Sequence, residues 1–220
     1  VDRCIESKGT KMAFMVSDTG GGGDFKKVPA GTHIGRCFRL VDLGTQEVVY
    51  KGDHKQQRKI MVSWELFGED DEGESLTTDD GMPLVISKRY TSSLSDKARL
   101  RADLEAWRGR GFTDDELRGF DVEALLGKFC MINVIHNTND AGKTYANIAS
   151  ITPVPGALRN SLPKGVHEIQ CFTLDRPDMA LFDSFYDKLK EVIQASAEWK
   201  SMKGSGTRVS AGPTDPFDVD

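Results

Sequence analysis

A mainly β fold with interspersed helices is predicted by three observations on this chain of 220 residues. Three strand-like runs fill residues 32–90, a charged amphipathic helix follows at about 95–108, and two more strand-like runs occupy 128–152. That β-β-β-α-β-β order is the chain logic of a five-stranded oligonucleotide-binding (OB) barrel. A further helical pattern at 178–200 adds a C-terminal helical extension to the barrel.

The first strand is Thr32 to Val41, an alternating run in which Gly35 predicts a bulge or a sharp coil. The second, Arg58 to Phe67, alternates more cleanly. Ile60, Val62, Trp64 and Leu66 share one face, while Lys59, Met61, Ser63 and Glu65 share the other. Trp64 therefore belongs to the core. The third run, Pro83 to Tyr90, follows an acidic loop directly, so the second and third strands are predicted to pair as a hairpin. Ser95 is the expected N-cap of the helix, with Asp96 in its first turn. Leu100, Leu104 and Trp107 then form one apolar stripe against the barrel. Thr113 and Glu116 have capping-box spacing for a short second helix. Asp121 to Leu126 makes a further helical turn, stopped by Gly127. Lys128–His136 and Lys143–Ile151 form a second hairpin around the turn Asn137–Gly142, and Pro153 and Pro155 end it.

The resulting organisation is a flexible N-terminal arm at 1–27, the barrel at 28–155, a helical extension at 156–203 and a disordered acidic tail at 204–220. Residues 1–11 read as leader residues ahead of Met12. The glycine run at 20–23 is too costly in entropy to order and lacks the Gly-Lys-Ser/Thr of a phosphate loop. Hydrophobic content of 38% and charged content of 29% fit a soluble globular chain. No apolar run reaches the length of a membrane span and no signal peptide is visible, so no membrane partner and a cytoplasmic location are expected. The four cysteines, Cys4, Cys37, Cys130 and Cys171, form no short-spaced pair and read as buried thiols rather than zinc ligands.

The net charge of −5 argues at first against a polyanionic partner. Its distribution reverses that. Residues 28–155 hold 16 Lys and Arg against 20 Asp and Glu, but seven of those acids lie in the loop from Glu69 to Asp80. The rest of the barrel is mildly basic, and local field governs binding of a polyanion. The four histidines are scattered, and no nucleophile elbow, metalloprotease helix or phosphate loop is present. The chain is expected to be neither an enzyme nor a cofactor binder.

Single-strand binding needs rings for bases beside cations for phosphates. The strands offer Arg36, Phe38 and Arg39 on the first, Lys55, Arg58 and Lys59 before and on the second, Lys88, Arg89 and Tyr90 on the third, and Lys143 and Tyr145 at the fifth. Phe38 has apolar residues on both faces of its strand. Tyr90 and Tyr145 are the preferred stacking rings. In the tail, Asp215, Pro216, Phe217 and Asp218 can enter a partner's hydrophobic notch, their acids meeting a basic rim. The competing expectation is an OB-fold interaction module that recruits replication proteins without touching DNA. Self-association is left open by either.

The residues Leu40 to Gln46, the strand Lys59 to Leu66 centred on Trp64, Leu125-Leu126-Gly127-Lys128, and Ser196 to Lys200 resemble bacteriophage-encoded OB-fold single-stranded-DNA-binding proteins. The likeness covers roughly residues 28–200. It implies a barrel that coats and protects unpaired DNA during replication or recombination in the host cytoplasm. The Asp215-Pro216-Phe217 tip is similar to the acidic tip with which bacterial single-stranded-DNA-binding proteins recruit replication and repair partners. Here Asp218-Val219-Asp220 follow the phenylalanine, so a notch that requires a terminal Phe carboxylate would reject it.

Overall fold

β1 (Gly31–Tyr50) and β2 (Asp53–Phe67) form one long antiparallel hairpin around a tight turn at Gly52, whose φ is 87°. The computed structural model describes residues 26–50 and 52–205. Of the expected N-terminal arm at 1–27, residues 1–25 lie outside the described residues, as do the tail residues Asp215, Pro216, Phe217 and Asp218. β3 (Val85–Thr91) pairs antiparallel with β2, β4 (Phe129–Thr138) with β1, and β5 (Thr144–Thr152) with β4, giving the order β3-β2-β1-β4-β5. A short β6 (Gln170–Phe172) adds to β1 in parallel. The protein is thus mainly β, an antiparallel sheet of five strands and one parallel addition, accompanied by a few short helices.

Both predicted hairpins are present, and the first two strands run well beyond their expected ends. Residues 42–50 and 53–57 continue the ladder as an arm, although Gln46, Glu47, Lys55, Gln56 and Gln57 give it no alternation of polarity. The bulge expected at Gly35 falls elsewhere. The register of β1 on β2 shifts between Cys37 and Arg39 and between Asp42 and Gly44, leaving Phe38 and Leu43 as the extra residues. Gly35 instead pairs with both Leu66 and Cys130, and a Cβ there would meet Ile132 Cδ1 at 2.5 Å. Close approach, not curvature, requires the glycine.

α1 (Arg99–Arg108) has Ala98 as its N-cap, and Asp96 and Lys97 form a turn ahead of it; neither the Ser95 cap nor an acidic first turn is realised. Its stripe behaves as expected. Leu100, Leu104 and Trp107 are buried beneath the sheet with Trp64, whose ring lies 5.8 Å from that of Trp107. Val62, Leu66, Ile86, Ile132 and Ile151 complete this inner core. α2 (Asp114–Arg118) carries the full Thr113–Glu116 capping box, and Asp121 caps a 3₁₀ turn at Val122–Leu125 before Gly127 at φ 75°.

The path β3-β2-β1-β4-β5 ends on β3 and β5, which no ladder joins. Side chains bridge them instead. Lys88 Nζ donates to the Ile148 carbonyl at 3.3 Å, and Arg99 Nη2 donates to that of Ala149 at 2.9 Å. Both cations are held by the buried Asp103, through bonds of 2.7 and 2.8 Å, and the Tyr90 hydroxyl donates to the same carboxylate at 2.9 Å. Carbonyls that a ladder would satisfy therefore find donors, as buried backbone must.

Residues 178–200, read as one helix, are three: α3 (Met179–Asp183), α4 (Asp187–Gln194) and α5 (Ala197–Ser205). Two serines lie at the breaks. Ser184 Oγ donates to Leu181 O and Ser196 Oγ to Ile193 O, each at 2.6 Å, offering the chain a local alternative to the helical ladder. These helices and β6 build a second core on the outer face of the sheet, where Phe172, Leu174, Phe182, Phe185, Leu189, Ile193 and Trp199 meet Val41, Leu43 and Met61. No helix among the described residues is long and apolar enough to cross a membrane.

Candidate nucleic-acid interface

The outer face of the sheet divides into a covered part and an open one. Its residues follow from the pairing: Arg36 opposite Glu65, Arg39 opposite Ser63, Val41 opposite Met61, and Gly44 opposite Lys59, with Ser87, Arg89 and Thr91 continuing the rows on β3.

The first three rows are covered by the C-terminal segment. Glu65 is fully buried, and it accepts from Arg36 Nε, from His167 N at 2.8 Å and Nδ1 at 2.9 Å, and from Val166 N. Arg36 also donates to His167 O. Burial pushes the Glu65 carboxyl up, but the bonds from His167 and Val166 and the Arg36 charge outweigh it and hold the group below its ordinary value. Gly165 passes so near the Arg36 guanidinium that a Cβ would lie 1.7 Å from Nη1. Phe38, at 1% exposure, stacks on the His167 ring at 4.6 Å. Arg39 Nε donates to Gln170 Oε1 at 2.6 Å, its guanidinium 5.0 Å from the Phe38 ring and 5.8 Å from that of Phe185. The expected binding group Arg36, Phe38 and Arg39 is therefore turned inward, against the protein's own C-terminal segment.

Beyond the covered rows, a groove of about 810 Å³ opens over the ends of β2 and β3. Lys59 and Arg89 rise from its floor, while Lys97 stands on the loop that leads into α1 and Arg99 opens that helix. Facing them are Glu191 and Val192 of α4, Ala195 just after it, and Leu43, Gln46 and Val48 of β1. Glu191 is the one carboxylate of the lining, and Arg99 is in addition paired with Asp103 at 2.8 Å. Lys59 Nζ donates to Gln57 Oε1 at 2.6 Å and Thr91 Oγ1 at 2.7 Å, and burial lowers its pKa. Arg89 Nε is buried and has no hydrogen-bond partner among the described residues. Lys97 and Arg99 are exposed. Sequence reasoning found Lys59 and Arg89 but missed Lys97 and Arg99, since Ser-Asp-Lys-Ala-Arg reads as an ordinary polar approach to a helix.

The remaining expected residues scatter. Lys55 is exposed on the β1–β2 arm, and Arg58 is paired with Asp42. Lys88 points to the other side of β3, into the Asp103 bridge, where burial lowers its pKa against the partial offset of Asp103. Tyr90 is 4% exposed, its hydroxyl committed to Asp103, so its ring presents no face to a base. Lys143 and Tyr145 sit together at the β4–β5 turn, Nζ 5.4 Å from the ring centre, and Tyr145 is half-buried. Cys37 and Cys130 are buried and Cys171 is half-buried. No three His, Cys, Asp or Glu side chains among the described residues converge as metal ligands would. In comparisons with known proteins, no family model matches this chain and no curated sequence matches it.

Proposed function

We propose that this chain is a single-stranded-DNA-binding protein, an OB barrel with a C-terminal helical extension that holds unpaired DNA in the groove above β2 and β3. The strand order, with α1 inserted between β3 and β4, agrees with the five-stranded OB arrangement, in which the face of the second and third strands takes the oligonucleotide. The observation that carries the reading is the groove itself, where Lys59, Arg89 and Lys97, with Arg99 held by Asp103, stand beside the single lining carboxylate of Glu191.

The chemistry is binding, not turnover. Phosphates exchange their counterions for Lys59, Arg89 and Lys97, and bases lie on the aliphatic wall of Leu43, Val48, Val192 and Ala195. With Phe38 and Tyr90 withdrawn, stacking falls to Tyr145 at most. Affinity then rests on phosphate contacts, which read no sequence. The protein would coat and protect unpaired DNA during phage replication or recombination, without cofactor. Its acidic tail would recruit replication or repair proteins.

Fluorescence anisotropy with labelled oligo-dT and a duplex of equal length tests this. The reading requires tighter binding to the single strand, weakening steeply with salt. Equal affinity for both, or none for either, rejects it in favour of the protein-interaction module.

A further inference from the structure

We infer that α4 and the segment clasped to Glu65 act as a wall that limits the bound strand to about four nucleotides, at the low end of the single-strand site sizes of such barrels. The inference rests on the single-strand-binding reading and adds to it a site length and the feature that fixes it.

With Arg99 held by Asp103, the groove offers Lys59, Arg89 and Lys97, enough to neutralise the three phosphates that link four nucleotides. A longer strand continuing across the sheet would next reach the rows of Arg39 and Arg36, and both rows are occupied. His167 and Val166 bond to Glu65, Gln170 bonds to Arg39, and Phe185 and Leu189 lie buried on the same face. Magnitudes decide whether a strand could displace them. One stacked base is worth about 1–3 kcal/mol, whereas every large apolar side chain pulled from the outer core forfeits roughly 1.5–3 kcal/mol. The helices carry many such side chains on one continuous segment, so lifting it loses more than the strand returns. The cover stays, and the strand ends against α4.

Two measurements on the full chain separate the alternatives. In an oligo-dT length series, affinity should rise to about dT4 and then grow only by the statistical factor for extra registers. The logarithm of affinity should fall against that of salt with a slope of about −2.1, at 0.7 for each of three phosphates. Lys97→Ala should reduce that slope to about −1.4, and Glu191→Lys, on the wall, should steepen it to about −2.8. Arg39→Ala should leave affinity and slope unchanged. Affinity that keeps climbing in large steps to dT8 or beyond, a tenfold loss in Arg39→Ala, or an unaltered slope in Glu191→Lys overturns the wall while leaving single-strand binding intact. Absence of binding at every length and salt concentration overturns both.

Discussion

Glu65 concentrates more of this molecule's organisation than any other single side chain. It stands on the polar face of β2, and alternation alone places it toward solvent. Instead it lies at 0% exposure beneath the C-terminal segment and accepts from Arg36, Val166 and His167. Its folded pKa is below the ordinary 4.5, so its contribution to stability is complete above that value and is lost as pH falls through the folded pKa. Glu65→Gln should therefore lower stability at pH 7 by about 2–3 kcal/mol, as charged hydrogen bonds are exchanged for weaker ones. It should also flatten the loss that the unsubstituted protein shows below pH 4.5. Urea denaturation across that acid range checks both. Gly44 offers a second test. Its φ is +68° and a Cβ would lie 2.5 Å from that of Ser196, so Gly44→Ala should cost about 1–3 kcal/mol from strain alone, measurable as a lower urea midpoint. The pattern of the sequence identified which residues share a face. It could not identify a second layer on that face, because the layer comes from residues a hundred positions away.

At the scale of elements, the strands with clear alternation, β2, β4 and β5, were legible, as was the capping box of α2. The elements that escaped did so for nameable reasons. β6 is three residues long, too short for any period to register. The helix breaks at Ser184 and Ser196 come from serine hydroxyls bonding back to carbonyls, a conformational choice invisible in an apolar stripe that runs on through both. The two bulges of β1 each place an extra apolar side chain, Phe38 or Leu43, on the outer face. This is why that strand looked apolar on both sides. Between β3 and β5 the connection depends on Asp103, which gathers Lys88, Arg99 and Tyr90. Asp103→Ala leaves the largely buried Lys88 ammonium without its partner and should destabilise by roughly 3–5 kcal/mol. Thermal or urea unfolding measures it, and a change under 1 kcal/mol would mean that the bridge is dispensable.

For the whole molecule, a net charge of −5 and a cationic groove coexist because the acids are segregated. Those of the loop from Glu69 to Asp80 project into solvent away from the groove, whose lining includes Glu191 alone among carboxylates. The same segregation is the sequence signal that led to the expectation of a nucleic-acid partner, while several of the residues expected at the interface lie elsewhere in the fold. Arg36, Phe38 and Arg39 were assigned to DNA and serve the fold; Lys97 and Arg99 were overlooked and stand at the groove. In the proposed function an unpaired strand lies between the loop before α1 and the flank of α4. Photocrosslinking of an iodouridine-substituted oligo-dT, followed by peptide mapping, tests that placement directly. Crosslinks within residues 89–99 and 191–195 are predicted. Crosslinks confined to 36–39 or to the β4–β5 turn at 139–143 would contradict it.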